Sequence, residues 1–212
     1  MLAKDGFKVI VPIFAVTFML CILVWLFPVL LLRILLVLSI AFFLFSLYFF
    51  RDPERTAAAD ENVLISPADG EIVKIENVDD PFVGKGWRIS IFMSVFSVHV
   101  NRMIAAGTVK DTHYRKGKFL PAFKPEVLFE NEQNTVMVEG ERIRFTLTQI
   151  AGMIARRIVT RVEIGQAFRR GERFGMIMFG SRVDIVVPES VILKVELQQR
   201  VKAGETEIGV IE

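Results

Sequence analysis

The stretch GMIMFGSRVDIVVP, residues 175–188, decides how the C-terminal part of this chain folds. Two runs rich in Val, Ile and Met predict β-strands, and the Gly180–Ser181 pair separates them. Gly-Ser alone is a common turn dipeptide and indicates no chemistry. Between two strands, however, the Ser181 hydroxyl would be held against the carbonyl that precedes it. That arrangement permits a chain to attack its own backbone.

The sequence from about residue 60 onward predicts a mainly β fold, a compact antiparallel β-sandwich or barrel. Short runs rich in Val, Ile, Phe and Thr are bounded by Gly, Asp, Asn or Pro. The other runs are GEIVKIENV (70–78), GWRISIFMSV (86–95), NTVMVEG (134–140), RIRFTLTQIA (142–151), ARRIVTRVEI (155–164) and VILKVELQQR (191–200). Residues 138–142 are expected to form a hairpin corner, and residues 119–129 and 165–170 to contain short turns of helix.

A weak internal repeat links two segments of this β region. GERFGMI at Gly171–Ile177 is echoed by GETEIGVI at Gly204–Ile211, which is one residue longer. The pattern is typical of barrel-sandwich folds related to lipoyl and biotinyl domains, in which glycines form the tight corners between short strands. The repeat indicates architecture and not activity.

The N-terminal region accounts for the high apolar content of the chain, which has 212 residues, 52% of them hydrophobic, and a mean hydropathy of +0.45. Val9–Phe27 and Ile34–Phe50 carry no charge. As helices they would each span about 26–28 Å, close to the bilayer core of about 30 Å. We therefore expect a membrane-anchoring helical hairpin over residues 1–55, which turns between Phe27 and Arg33, followed by a second domain over residues 56–212.

Both ends of the expected hairpin are basic, which predicts a cell-membrane protein whose remaining domain lies on the cytoplasmic face. Lys4 and Lys8 precede the first apolar run, and Arg51 and Arg55 follow the second. A cleaved signal peptide fits poorly, because the apolar region is too long and no small-residue cleavage site follows it. We favour a hairpin that crosses the membrane, and the alternative is a re-entrant or monotopic anchor that does not cross.

Charge and residue counts exclude several function classes. A formal charge of +2 gives no indication of a nucleic-acid partner. The basic pairs Arg156-Arg157 and Arg169-Arg170 fit either anionic lipid headgroups or a solvated face. The single cysteine, Cys21, lies in the first apolar run, so a disulfide framework, a Cys-rich zinc site and a Cys nucleophile in the remaining domain are excluded. Two histidines make a metallopeptidase a poor candidate, and no metal is predicted.

The candidate site residues suit ordinary structural positions when they are taken singly: Asp69 a β-turn, His99 a core position at a strand end, His113 a surface position and Ser181 a turn. They occur among five motifs, which are FFRDP (49–53), SPADGEIVKI (66–75), IFMSVFSVHVNRMIAAGTV (91–109), YRKGKFLPAF (114–123) and GERFGMIMFGSRVDIVVP (171–188). In this order and over nearly the whole chain, the motifs resemble the short form of the phosphatidylserine decarboxylases, which are pyruvoyl-dependent lipid enzymes. The resemblance implies that the domain over residues 56–212 is catalytic.

The resemblance implies a proenzyme that cuts itself between Gly180 and Ser181. Ser181 Oγ would attack the Gly180 carbonyl, the resulting ester would eliminate, and hydrolysis would release ammonia and leave a pyruvoyl group at position 181. Residues 1–180 would form the β chain and residues 181–212 the α chain, a heterodimer that shares one core. The resemblance is also compatible with assembly of these heterodimers into a higher homo-oligomer.

The resemblance also implies the catalytic activity and the residues that support it. The pyruvoyl ketone would form a Schiff base with the amine of phosphatidylserine, and loss of CO₂ would give phosphatidylethanolamine. Asp69 corresponds to the acidic member of the self-cleavage triad, and His99 to a family histidine. Longer bacterial relatives carry a second histidine three residues later, where this chain has Arg102. We expect His99 to serve both steps, with Arg102, a water or His113 as alternatives.

Two other functions are alternatives to the decarboxylation of phosphatidylserine. An archaetidylserine-type ether lipid carries the same serine headgroup and would undergo the same reaction. A non-catalytic lipoyl- or biotinyl-like carrier would need a lysine at the hairpin tip within residues 171–185, and none is present. The segment Phe119-Leu120-Pro121-Ala122-Phe123 fits equally a loop that enters the membrane interface and a piece of core.

Overall fold

A computed structural model of the chain describes residues 1–56, 60–118, 130–152, 157–178 and 181–212. The chain divides into two compact units, Met1–Glu54 and Arg55–Glu212. The predictions for residues 119–129, for the interfacial loop at 119–123 and for Arg156 and Gly180 lie outside the described residues.

The first unit is a pair of apolar helices. After a short 3₁₀ turn at Lys4–Gly6, α1 spans Phe7–Leu26 and α2 spans Leu30–Phe49. Both are long and apolar enough to cross a membrane and are therefore compatible with membrane association. Cys21 is exposed on α1.

The connection between the two helices is shorter than predicted. The sequence placed Arg33 at the end of the turn, but Arg33 lies in α2, and its N–H donates to the Val29 carbonyl at 3.3 Å. Pro28 disfavours a helical conformation at Phe27, so α1 ends at Leu26, and Val29 is the N-cap of α2.

The open end of the helix pair is closed by backbone contacts. The Ala3 N–H donates to the Phe50 carbonyl and the Asp52 N–H to the Met1 carbonyl, each at 2.8 Å. Gly6 makes this approach possible, because a Cβ atom added there would lie 2.6 Å from the Phe50 Cβ. Near mid-helix the Thr17 and Ser39 hydroxyls are hydrogen-bonded at 2.7 Å, a polar contact of the kind that joins helices in lipid.

The second unit is built from antiparallel strands, which confirms the predicted mainly β class. An eight-stranded sheet in the order β13-β2-β3-β11-β7-β6-β5-β9 curls into a half-barrel, and three-stranded sheets β4-β10-β8 and β1-β14-β12 accompany it. The strands are β1 (Val63–Ile65), β2 (Gly70–Asp80), β3 (Gly84–Met93), β4 (Val100–Arg102), β5 (Gly107–Arg115), β6 (Gln133–Glu139), β7 (Arg144–Ile150), β8 (Arg157–Thr160), β9 (Ala167–Phe168), β10 (Arg173–Met178), β11 (Ser181–Pro188), β12 (Ile192–Leu193), β13 (Arg200–Val201) and β14 (Glu207–Val210).

Strand β11 is the centre of this unit because it pairs with β3 on one side and β7 on the other. Val183, Ile185 and Val187 alternate along it and are fully buried in the core. Burial of a Val or Ile side chain stabilises the fold by about 1.5–3 kcal/mol. The C-terminal strand is therefore held by its neighbours as well as by the backbone that precedes it.

The internal repeat marks two equivalent corners, as predicted. Gly171 and Gly204 adopt φ values of 76° and 77°, a left-handed conformation that glycine adopts without strain. Each corner is followed by a strand, β10 after the first and β14 after the second.

The hairpin corner at residues 138–142 is also confirmed. The Gly140 N–H donates to the Ile143 carbonyl at 2.8 Å between β6 and β7. Glu139 joins three strands here, because Lys110 on β5 and Arg144 on β7 both contact its carboxylate, at 2.7 and 2.6 Å. These hydrogen bonds hold the pKa of Glu139 below its usual value.

Other local predictions were wrong or too long. The expected helical turn at residues 165–170 contains β9 instead, because Ala167 and Phe168 pair with Thr108 and Gly107. The expected strand at 191–200 is interrupted, with β12 at Ile192–Leu193 and β13 beginning at Arg200. The expected strand at 155–164 is shortened to Arg157–Thr160 within the described residues. Val and Ile favour strands, but only a neighbouring strand with free backbone groups lets them form one.

Candidate active site

The histidine and the serine predicted from the sequence lie at the ends of two links that join the same pair of sheets, a region called the corner below. Strand β3 ends at Met93 and pairs with β11, so that Met93 lies opposite Ser181. Strand β4 begins at Val100 and pairs with β10, so that Val100 lies opposite Met176. The link from β3 to β4 and the link from β10 to β11 therefore join the same two sheets. His99 ends the first link, and Ser181 ends the second.

Ser181 is fully buried at the first position of β11. Its hydroxyl donates a hydrogen bond to the Met93 sulfur, with an O···S distance of 3.4 Å. A thioether is a weak acceptor and cannot take the proton. The serine is thus held in place while its proton remains available to a stronger base.

His99 is fully buried beside the same corner. Its backbone carbonyl accepts a hydrogen bond from the Ile177 N–H at 3.2 Å, which fixes the histidine backbone to β10. Ile177 precedes Ser181 by four residues along the chain. The imidazole therefore belongs to a region screened from bulk water, where electrostatic interactions are strong.

Asp69 is engaged by a cation and a backbone amide. The Arg55 guanidinium contacts both carboxylate oxygens, at 2.6 and 2.9 Å, and the Ala203 N–H donates to Oδ1 at 2.8 Å. Side chains of both ion-pair partners are largely buried, with 7% of Arg55 and 14% of Asp69 exposed. A two-point contact of this kind fixes the orientation of the carboxylate.

The turn that carries Asp69 is hydrogen-bonded to the strand that follows His99. The Arg102 N–H donates to the Pro67 carbonyl at 2.9 Å, and within the turn the Ser66 hydroxyl donates to the Ala68 carbonyl at 2.8 Å. The backbone of Asp69 and the backbone of His99 are therefore connected through β4.

Arg102 points toward the two glycine corners. Its Nη1 donates to the Gly171 carbonyl at 3.0 Å. A Cβ atom added to Gly204 would lie 3.0 Å from the Arg102 Cδ and 3.6 Å from the Arg55 Cβ. Arg102 thus packs beside the Arg55–Asp69 pair. His113, the alternative histidine, is exposed on β5.

Comparison with known proteins now identifies the chain's relatives. The sequence profile of phosphatidylserine decarboxylase matches residues 42–209. The chain belongs to the phosphatidylserine decarboxylase family. Members of this family are pyruvoyl-dependent decarboxylases of phospholipid biosynthesis, so the family resemblance of the motifs is confirmed and the non-catalytic carrier is disfavoured.

Individual relatives extend the match to the whole chain. A phosphatidylserine decarboxylase proenzyme of Geotalea uraniireducens (strain Rf4) is 38% identical over 212 residues, which cover 99% of this chain and 96% of the relative. Those of Chlorobium phaeobacteroides (strain BS1) and Oleidesulfovibrio alaskensis (strain ATCC BAA-1058 / DSM 17464 / G20) are 44% and 47% identical. The first of these two alignments covers 82% of both chains, and the second covers 76% of this chain and 75% of the relative.

Arg55 has a different role from the one that the sequence indicated. It was assigned to the basic flank of the membrane anchor, but its side chain is buried in the second unit against Asp69. From the sequence alone, a basic residue after an apolar helix can face lipid headgroups or pair with an acidic residue inside the next domain. The contact with Asp69 shows that Arg55 does the second.

A second buried ion pair lies next to Ser181 on the opposite face of the sheet, and no local sequence pattern indicates it. Arg182 and Asp184 occupy alternate positions of β11, and their side chains pair at 2.5 and 2.8 Å. Arg182 Nη2 also donates to the Ser90 hydroxyl on β3 at 2.6 Å. This arginine therefore joins the start of β11 to the neighbouring strand β3.

Within the described ranges, no group of three or more His, Cys, Asp or Glu side chains is arranged to hold a metal ion. Independently of that, Ser181 is small, buried and first in a strand held on both sides, a position compatible with a pyruvoyl group formed from the residue itself.

Proposed function

We propose that this chain is a proenzyme that cleaves itself between Gly180 and Ser181 and then converts phosphatidylserine to phosphatidylethanolamine. The observation that carries the proposal is the corner at which buried Ser181 begins β11 and buried His99 precedes β4. Family membership supplies the reaction class, and the geometry supports the assignment of these residues to it.

Self-cleavage begins with the Ser181 hydroxyl. Its Oγ bonds to the Gly180 carbonyl carbon, the carbon–nitrogen bond breaks, and the hydroxyl proton ends on the Ser181 nitrogen, which gives an ester. Loss of the Ser181 Cα proton then breaks the Cβ–O bond, leaving a carboxylate on Gly180 and dehydroalanine at position 181. Water replaces the nitrogen, which leaves as ammonia. His99 is the proposed base for the first proton transfer, following the logic of a catalytic triad.

Asp69 is the proposed acidic member of this arrangement. Its carboxylate is held by Arg55 and Ala203, and its turn is hydrogen-bonded to β4 through Pro67. A change at Asp69 therefore reaches His99 through the backbone of β4. Arg102 supports the same corner by packing against Gly204.

Decarboxylation uses the group that self-cleavage leaves at position 181. A pyruvoyl group supplies the electron sink for the pair released when the substrate carboxylate departs as CO₂. His99 is the proposed donor of the proton that the substrate Cα then requires. The buried position of Ser181 separates the reacting centre from bulk water.

The two products of cleavage are expected to remain a heterodimer. Residues 181–212 contribute β11, which pairs with β3 and β7, β13, which pairs with β2, and β14, which pairs with β1. All four partner strands belong to residues 1–180. The small chain is thus interleaved with the large one and cannot leave without breaking the core.

The helix pair suits a lipid substrate. Moving a diacyl lipid out of the bilayer costs about 0.8 kcal/mol for each CH₂ exposed, so the enzyme has to reach its substrate at the membrane. Lys4, Lys8 and Arg51 lie at the same end of the two helices. This charge distribution supports a hairpin whose ends, and the following domain, face the cytoplasm.

A decarboxylation assay tests the proposed function. Purified full-length protein in mixed micelles is given phosphatidylserine labelled at the serine carboxyl carbon, and released CO₂ is counted. We expect release by the wild type and none by Ser181→Ala, and an ether-linked lipid with the same headgroup serves as the competing substrate. Absence of release with both lipids would overturn the proposal.

A further inference from the structure

A line of buried side-chain amides ends beside Ser181. Gln149 Nε2 donates to Asn101 Oδ1 at 2.8 Å, and Asn101 Nδ2 donates to the Met93 sulfur at 3.9 Å. The same sulfur accepts the hydrogen bond from Ser181. All four side chains are fully buried. The methionine sulfur is therefore shared by the reactive serine and by the last amide of the line.

The line continues from Gln149 toward the surface. Thr160 Oγ1 donates to Gln149 Oε1 at 2.7 Å, Asn134 Nδ2 donates to Thr160 Oγ1 at 3.0 Å, and Thr112 Oγ1 donates to Asn134 Oδ1 at 3.4 Å. From Thr112 to Met93, every donor points in the same direction, toward Ser181. Hydrogen bonds aligned in this way polarise one another, and the effect is greatest at the buried end.

The amide of Gln149 occupies a tightly fitted position. Gly175 of β10 lies against it, and a Cβ atom added there would lie 2.8 Å from Gln149 Nε2 and 2.5 Å from the Val159 carbonyl. The lack of a side chain at Gly175 thus lets β10 close on the amide. The hydrogen bonds to Asn101 and from Thr160, together with the contact with Gly175, hold the Gln149 side-chain amide in one orientation.

A fully buried amide is a costly residue for a β core. Burial of an amide is unfavourable unless its donors and acceptors are matched, whereas an apolar side chain of similar volume has no such requirement. Leu147 occupies the same face of β7 two residues earlier and is such an apolar residue. The buried amides therefore pack no better than apolar side chains would. Because their hydrogen bonds end at Met93, we infer that they act on the position of the Met93 sulfur.

We propose that Gln149 is a positioning residue for self-cleavage, acting through Asn101 and Met93 on the Ser181 hydroxyl. The inference rests on the proposed function. A methionine side chain is flexible and adopts many rotamers. With the amide of Asn101 held in place by Gln149, the Met93 sulfur has a fixed partner, and the Ser181 hydroxyl that shares the sulfur is held in one rotamer. Without Gln149, fewer molecules hold the hydroxyl ready for attack.

The test follows the appearance of the 181–212 fragment after cell-free synthesis of the full-length chain into micelles. Gln149→Met keeps the side-chain length and removes both hydrogen bonds of Gln149, whereas Thr160→Val removes one of them, the donor to Gln149, together with the acceptor of Asn134. We expect Gln149→Met to slow cleavage at least roughly tenfold and Thr160→Val by a smaller factor. Thr148→Val is the matched control, because Thr148 lies on β7 next to Gln149 but pairs with Thr135 on the opposite face.

Hydroxylamine adds a measurement that a purely structural effect would not change. It cleaves esters, so it releases the fragment from chains that are delayed after the serine attack and not from chains delayed before it. We expect uncleaved Gln149→Met protein to resist hydroxylamine while its thermal unfolding stays cooperative. If Gln149→Met does not fold, Thr160→Val decides by the same two measurements.

The outcomes separate the two proposals. If wild type cleaves, and the folded Gln149→Met or Thr160→Val protein cleaves as fast as Thr148→Val, the role of Gln149 is overturned and the proposed function stands. If folded wild type never cleaves, the proposed function itself is wrong.

Discussion

Met93 faces Ser181 across the β3–β11 pair, and its sulfur accepts the serine hydrogen bond at 3.4 Å. This contact leaves the hydroxyl bound to an atom that is too weak a base to keep the proton. The arrangement suits a serine that has to stay in position during folding and react afterwards.

Replacement of Met93 by leucine tests that contact. The substitution conserves volume, so the free energy of unfolding is expected to fall by less than about 1.5 kcal/mol. Self-cleavage is expected to slow, because the hydroxyl loses its partner. Met103→Leu is the matched control, since Met103 is equally buried in the core. Equal cleavage rates for the two variants, followed on denaturing gels, would show that the sulfur has no part in the reaction.

Replacement of Asp69 by asparagine is expected to destabilise the second unit and to impair self-cleavage. It removes the charge that the buried Arg55 guanidinium contacts at two points, and breaking such a pair costs up to about 3–5 kcal/mol. We expect the lower end of this range, because the Glu205 carboxylate remains 3.8 Å from Arg55 Nε. Urea unfolding in a Ser181→Ala background separates stability from cleavage. Lys74→Met is the control, because the Lys74–Glu76 pair is exposed and its loss should cost at most about 1 kcal/mol. A similar loss in both variants would contradict the structural importance of the Arg55–Asp69 pair.

Gly204 and Gly84 provide a matched pair for the glycine corners. Both have positive φ, 77° and 83°, but Gly204 packs against Arg102 whereas a Cβ on Gly84 would have no neighbour within 4 Å. Gly84→Ala should therefore cost only the conformational strain, about 1–2 kcal/mol. Gly204→Ala should cost more and should also slow cleavage, because it displaces Arg102. Equal unfolding free energies for the two variants would show that Arg102 adapts freely.

The turn between the helices reports whether the pair crosses the membrane. In a Cys21→Ser background, Val29→Cys places a single thiol at that turn. We expect a membrane-impermeant maleimide to label it in intact cells, with Ser97→Cys in the second unit as the unlabelled control. Labelling of Val29→Cys only after lysis would instead support a monotopic anchor.

The sequence predicted the parts of the fold that depend on local pattern. The apolar runs predicted the two helices, and the motifs around Ser181 and His99 indicated the family. The glycine repeat gave corners that the φ values of Gly171 and Gly204 confirm. These signals are local, because each helix, turn or motif is formed by residues that are consecutive in the sequence.

The remaining features depend on pairings between distant residues. Arg55 looked like a membrane-flanking charge because nothing nearby reveals its contact with Asp69, 14 positions away. Gln149 lies in a predicted strand, and nothing near it in the sequence indicates its partner Asn101, 48 positions earlier. The apolar run at 191–200 predicts one long strand, but Ile192 and Leu193 pair with β14 whereas Arg200 pairs with β2.

The mass of the C-terminal fragment tests the central claim most directly. Freshly purified wild-type protein is denatured and analysed by mass spectrometry, with Ser181→Ala as the uncleaved control. The predicted result is a fragment that begins at position 181 and carries a pyruvoyl group in place of the serine, together with an intact 1–180 chain. A chain that stays whole, or a fragment that begins with an unmodified Ser181 amine, would contradict the claim.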